Sequence, residues 1–177
     1  MALVNNKSEC ALCGKTINTH HKYIAFPAFV GNTIDPLFIL NDAIVHEKCF
    51  ESFAYYKEMQ KIQEIMDSVR KRGYTCMVCK EQIINPDELI SFGYITYDQE
   101  DPLFELNYKF VHKTCIHNRE VFFEYIDRLQ QLRDVKKWVG TGIQYLIDEL
   151  QNACNDSHNN ITEQAITIST AHSTPRL

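Results

Sequence analysis

Cys10-Ala11-Leu12-Cys13 and, 32 residues further on, His46-Glu47-Lys48-Cys49 form the stretch whose reading decides the fold, because the chain writes the pattern twice. Cys76-Met77-Val78-Cys79 follows at an offset of 66, and the same 32-residue gap leads to His112-Lys113-Thr114-Cys115. The segments between the pairs repeat as well. Asp35-Pro36-Leu37-Phe38 returns as Asp101-Pro102-Leu103-Phe104, Leu40-Asn41 as Leu106-Asn107, and Val45-His46 as Val111-His112. Eight sulfur and imidazole side chains in register make this a tandem repeat of a Cys₃His metal-binding module.

The donor set points to zinc, two ions per chain. Thiolates and imidazole suit a tetrahedral zinc centre, and a Cys-x-x-Cys turn places two sulfurs on one side of a tight loop. Two such pairs complete four-coordination and leave no position for water or substrate, so the zinc reads as structural. Buried free thiols with core histidines, or disulfides, are the competing readings; the paired histidines in register count against both. Iron–sulfur ligation usually takes four cysteines. The candidate metal ligands are therefore Cys10, Cys13, His46 and Cys49 for the first site and Cys76, Cys79, His112 and Cys115 for the second. Cys154 is left over, at the frayed end of an expected third helix where its side chain would contribute little.

A chain of 177 residues is long for one zinc module and suits two plus extra helices. A module of about 40 residues has a marginal core of its own, the size range in which a structural metal is commonly needed. The N-terminus shows no apolar run of signal-peptide length and no segment could span a bilayer. Seven cysteines without an export signal imply reduced thiols and a cytoplasmic setting, or a nuclear one in a eukaryote. Net charge is −5, and two Cys₃His zinc sites would take it to about −7. That balance disfavours nucleic-acid binding through a broad basic surface.

In chain order, the first knuckle ends at Gly14, a residue that can take positive φ. Tyr23 to Val30 reads as a strand, with Pro27 placing it at an edge. Phe38-Ile39-Leu40, the turn Asn41-Asp42, and Ala43-Ile44-Val45 read as a tight hairpin leading into His46. From Glu47 to Arg72 the pattern is helical: Tyr55, Met59, Ile62, Met66 and Val69 follow a 4-3-4-3 spacing, Arg70-Lys71-Arg72 closes the helix, and Gly73 ends it. One unbroken helix of 26 residues would be about 39 Å long. The second repeat reads the same way: a strand from Leu89 to Tyr97, a hairpin over 104–111, and a helix from near His112 to about Lys137 with Phe122, Ile126, Leu129, Leu132 and Val135 inward. Thr141 and Gln144 offer a capping box for a third helix with Val139, Ile143, Leu146 and Leu150 on one face. Residues 155–177 are rich in Ser, Thr and Asn and read as a mobile tail. The expected organisation is α+β: zinc module one with its long helix over 1–72, module two over 73–137, a C-terminal helix over 138–154, then the tail.

The order knuckle, hairpin, and a second ligand pair in the first turn of a helix resembles the treble-clef zinc fold. The resemblance covers 10–72 and 76–137 and implies knuckle ligands at Cys10, Cys13, Cys76 and Cys79 and helix-turn ligands at His46, Cys49, His112 and Cys115. The same order looks like the first half of a LIM domain, but the gap between pairs is too long and 26 residues separate the two sets. A cross-braced RING-like pairing of Cys10/Cys13 with Cys76/Cys79 is opposed by the 66-residue repeat, which favours sequential sites.

Three functions follow. The first is a non-enzymatic zinc-stabilised adaptor that binds a protein partner or a second copy, with the helix Glu47–Arg72 as the contact. The second is nucleic-acid binding through Lys57, Lys61, Arg70, Lys71, Arg72 and Lys80, with Arg128, Arg133, Lys136 and Lys137 as a further group. The third rests on the treble clef's use in HNH-type nucleases, which need a histidine base at the hairpin end and a divalent metal. Here both hairpin-end histidines are zinc ligands, and only His117, Asn118 and Glu120 offer further polar groups on a helix. His20-His21 has no partner spacing and reads as solvent-exposed.

Overall fold

The computed structural model describes residues 8–18, 20–116 and 119–155. The fold is mixed α+β, with each repeat contributing one two-stranded antiparallel sheet. In repeat one, β1 (Tyr23–Ala25) pairs with β2 (Ile44–His46), which runs straight into α1 (Glu47–Glu51) and then α2 (Tyr56–Arg72). In repeat two, β3 (Leu89–Ser91) pairs with β4 (Phe110–His112), followed by a 3₁₀ turn at Lys113–Cys115 and α3 (Arg119–Asp134). A last helix, α4, covers 142–155. Of the expected tail, 155–177, Asn155 is instead the last residue of α4, and 156–177 lie outside the described residues.

The expected hairpins over 38–45 and 104–111 do not form. Their first halves are 3₁₀ turns, Pro36–Leu40 and Pro102–Leu106. The repeated Asp-Pro-Leu-Phe explains why. Asp35 and Asp101 cap these turns, accepting from the backbone N–H of Leu37 at 2.8 Å and Leu103 at 2.9 Å. The proline at the first turn position fixes φ and has no N–H to leave unpaired. Leu37 and Leu103 then point into the cores. The final strand of each repeat therefore pairs with the distant β1 or β3 rather than with its chain neighbour. The repeated Leu-Asn completes the arrangement: Asn41 Oδ1 accepts from Phe29 and Val30 N–H at 2.6 and 2.8 Å. Asn107 Oδ1 does the same for Ile95 and Thr96, at 2.6 and 3.2 Å. These bonds satisfy backbone that has left the strand, so β1 and β3 are three residues each rather than the eight or nine expected.

The expected helix Glu47–Arg72 is also broken. Ser52 ends α1 by donating its hydroxyl to Lys48 C=O at 3.0 Å, competing with the helical backbone for that acceptor. The break turns Phe50 onto Phe26 and Tyr56, with ring centroids 5.2 and 5.1 Å apart. α2 alone is 17 residues, about 26 Å. Of its apolar stripe, Met59 and Ile62 are buried in the core of repeat one, and Met66 and Val69 are half-buried. In α3, Phe122, Ile126 and Leu129 are buried as expected, whereas Val135 lies past the helix end and is exposed. In α4, Ile143, Leu146 and Leu150 are buried, together with Ile147. Val139 is exposed, and Gln144 bonds Arg133 and Asp148 rather than closing a capping box with Thr141.

The two repeats interlock. Tyr94, from repeat two, is buried in the core of repeat one, packs edge-on against Phe29, and donates its hydroxyl to Asp35 Oδ2 at 2.9 Å. Asp35 thus caps a turn with one oxygen and holds the other repeat with the second. Burial raises its pKa, against the lowering effect of those two hydrogen bonds. In the other direction, the 137–140 segment clasps repeat one. Buried Asn32 donates to Lys137 C=O at 3.0 Å and accepts from Val139 N–H at 2.9 Å, and Thr33 N–H donates to Val139 C=O at 2.9 Å. Gly140 sits at φ +143 so close to Gly31 that a Cβ there would lie 2.4 Å from the Gly31 carbonyl oxygen.

Because the cores share Tyr94 and the clasp, the repeats should unfold together. Denaturation followed by Trp138 fluorescence and by far-UV circular dichroism should give coincident transitions. Asn32→Ala removes hydrogen bonds to part-buried backbone groups of Lys137 and Val139, worth about 1 kcal/mol each, and should lower the midpoint of that single transition. Two separated transitions in the wild type would show that the interlock is not energetically significant.

Candidate metal centres

Each knuckle is closed by backbone hydrogen bonds that the Cys-x-x-Cys spacing permits. Gly14 N–H donates to Cys10 C=O at 2.8 Å and Cys10 N–H to Lys15 C=O at 2.9 Å. Repeat two matches this with Lys80 to Cys76 at 3.0 Å and Cys76 to Glu81 at 2.8 Å. The turn needs positive φ, supplied by Gly14 at +70°, while Lys80 is held at +67° in spite of its side chain. Each knuckle is then tied to the strand that carries the histidine: Ala11 N–H donates to Ile44 C=O at 3.0 Å, and Met77 N–H to Phe110 C=O at 2.7 Å. Strand pairing sets the approach of His46 and His112, which face Tyr23 and Leu89 in the registers. The helical turn that follows each histidine brings the last cysteine back, Cys49 in α1 and Cys115 in the 3₁₀ turn.

The result is two clusters, Cys10/Cys13/His46/Cys49 and Cys76/Cys79/His112/Cys115, in each of which the donor atoms lie within 4.8 Å of one another. Each repeat closes its own cluster, so the arrangement is sequential and not cross-braced. His46 Nδ1 is 3.5 Å from Cys13 Sγ and 3.8 Å from Cys49 Sγ; His112 Nδ1 is 3.4 Å from Cys79 Sγ and 4.0 Å from Cys115 Sγ. A tetrahedral zinc with ordinary Zn–S and Zn–N bonds would put sulfur and nitrogen about 3.6 Å apart. The observed spacings bracket that value. The pattern of exposure is also the same in both: the first cysteine buried, the second exposed, the histidine and last cysteine half-buried.

The thiols of a cluster are unlike one another. Burial pushes Cys10 up, but the backbone N–H groups of His46, Leu12 and Cys13 outweigh it and hold the thiol down at about 6. Cys76 is held at about 6 in the same way, by His112, Cys79 and Val78 against burial. Cys49 and Cys115 go the other way. Partial burial, together with the two neighbouring knuckle sulfurs and their charge, pushes Cys49 up to about 11 and Cys115 to about 12. One sulfur in each cluster is ready as a thiolate, and another resists ionising beside it. A divalent cation removes that conflict, since a metal centre reverses the sign of the local field.

The remaining candidate residues fall elsewhere. His20 is exposed, but His21, expected to lie idle in a loop, places Nδ1 3.2 Å from Nε2 of His46. No spacing rule flagged it; the only signal was a histidine two residues before the strand that pairs with His46. Cys154 is 2% exposed in the core of repeat two, so it packs rather than frays. Of the nuclease candidates, His117 and Asn118 lie outside the described residues and Glu120 is exposed at the start of α3. Arg70, Lys71 and Arg72 form the last turn of α2, with Arg70 3.2 Å from Asp67 and Arg72 bonded to Ser68. No described helix is long and apolar enough to cross a membrane. No family model, no curated protein and no solved structure matches this chain.

Proposed function

We propose that this protein is a non-enzymatic adaptor whose two clusters each hold a structural zinc ion and whose first repeat presents an apolar surface to a protein partner. The single observation that carries the reading is closure: three sulfurs and one imidazole nitrogen converge in each cluster, a full tetrahedral set with no position for a substrate or reactive water. Bound zinc would supply cross-linking between knuckle and helix turn and no chemistry beyond that. The histidine at the position where an HNH nuclease would keep its base ends β2 or β4 here and turns Nδ1 into the cluster.

The repeat itself supports the partner surface, because each half serves as a reference for the other. Ile34 and Ile39 stand where repeat two has Glu100 and Glu105, at an offset of 66. All four are exposed, the isoleucines at 54% and 46%. Phe38 beside them is exposed, whereas its counterpart Phe104 is half-buried against the neighbouring core. Repeat two thus solvates these positions with carboxylates and repeat one leaves them apolar. This surface is a better candidate than α2, whose Met59 and Ile62 are consumed inside the chain.

Native mass spectrometry should find two zinc ions per chain, and one ion, or iron, would overturn the metal assignment. Zinc uptake at pH 7 should release at least one proton per site, since Cys49 and Cys115 start protonated. Release should grow and affinity fall as pH drops through about 6, where Cys10 and Cys76 also become protonated. A photo-cross-linking residue at position 39 should capture a protein in the native host, while the same residue at position 105 should not. Equal capture at both positions would remove the partner surface, and turnover of DNA on adding magnesium or manganese would favour the nuclease.

A further inference from the structure

His21 is required neither by the knuckle nor by the helix turn, yet the fold places it against a ligand. The segment that carries it is tied to the start of α1, where Glu47 N–H donates to Lys22 C=O at 3.1 Å and the Lys22 ammonium lies 3.7 Å from the Glu47 carboxylate. This brings the His21 ring edge-on to His46, with centroids 5.0 Å apart and planes at 67°. His46 turns Nδ1 toward the sulfurs of Cys13 and Cys49. A neutral imidazole that gives Nδ1 to a metal keeps its proton on Nε2. That Nε2–H is directed at Nδ1 of His21, 3.2 Å away.

We propose that His21 is the outer-sphere positioning residue of the first metal centre: its Nδ1 accepts from His46 Nε2–H, fixes the tautomer and plane of the ligand ring, and so tightens metal binding at the first centre but not the second. The inference rests on the zinc reading of the clusters. His21 then carries its own proton on Nε2, on an exposed ring where water can accept it; Asn18 keeps its Oδ1 on His20 N–H at 3.1 Å, and its Nδ2, 3.4 Å from His21 Nε2, gives way. Metal-bound histidines generally hand their second N–H to such an acceptor, and losing it typically costs about 10–100-fold in metal affinity.

The second repeat shows that the contact is a local addition and not a product of the fold. Its residue at the same offset is Asp87, also two positions before the strand that pairs with the ligand histidine. There the chain winds into the 3₁₀ turn Pro86–Glu88, with Asp87 N–H donating to Asn85 Oδ1 at 3.1 Å. The Asp87 carboxylate makes no hydrogen bond to His112 among the described residues. Two centres with the same inner donors therefore differ in their outer support.

The test uses the full chain loaded with two cadmium ions, one NMR resonance per centre, each assigned through coupling to its cysteine protons and titrated with a chelator. His21→Ala should release the ion of the first centre at about 10–100-fold lower chelator concentration and leave the second unchanged. His21→Asp should hold affinity near the wild-type value, because its carboxylate oxygen lies the same number of bonds from the backbone as Nδ1. His20→Ala should change neither centre. Equal weakening of both centres by His21→Ala, no weakening at all, or an Asp variant as weak as Ala would overturn the proposal. Complete loss of the first ion in His21→Ala would make His21 a ligand and overturn it equally. A wild type that takes up no cadmium or zinc at the first centre would remove the zinc reading itself, an outcome distinct from wild-type uptake with an indifferent His21→Ala.

Discussion

Three thiols held within 4.8 Å of one another cannot all ionise unless a cation stands among them, and the rest of this structure is arranged around that constraint. In each cluster the fold lowers one thiol by pointing backbone N–H groups at it, and by doing so makes the third thiol harder to ionise. The polypeptide alone therefore stores a conflict at two points. A dication turns the conflict into attraction, and for small zinc modules that coupling is on the order of 10 kcal/mol per site. Sheets of two three-residue strands are marginal by themselves, and such a link would add to the backbone bonds that tie each knuckle to its strand.

Metal alone would leave two beads on a string, and the interlock prevents that. The repeats exchange unlike groups: repeat two lends Tyr94 to the core of repeat one, and the 137–140 segment returns to clasp Asn32 and Thr33. Asp35 links the levels, because the residue that caps a local turn also accepts the Tyr94 hydroxyl. Position 28, where repeat one would carry the counterpart of Tyr94, is alanine. A duplicated module has in this way become two halves that cannot be exchanged.

Much of the centre was legible in the sequence because metal ligation is a matter of spacing, and the 66-residue register states which four residues close each site. The strands and helices were less legible, for identifiable reasons. Phe38 to Val45 carries a hairpin pattern, but Asp35 and Pro36 commit its first half to a 3₁₀ turn before pairing can begin. Asn41 and Asn107 looked like turn residues, and their side chains instead serve backbone 11 or 12 positions upstream. The stripe from Tyr55 to Val69 gave no sign of the break that Ser52 makes ahead of it. Asn32 and Val139 are 107 residues apart with no motif joining them, and only the folded chain brings them into contact.

The departures between the repeats are informative because the shared scaffold cancels. At equivalent positions, repeat one carries His21 against Asp87, Ile34 against Glu100, and Ile39 against Glu105. In each case repeat two has the charged, solvated residue and repeat one the group that makes or invites a contact. Repeat two, by contrast, takes on the burden of structure, with α4 buried across its core and Trp138 covering Gly31 of its neighbour. A pair of equal domains would distribute such changes evenly. Their concentration on one side argues for a division of labour in the fold itself, with the second repeat bracing the first.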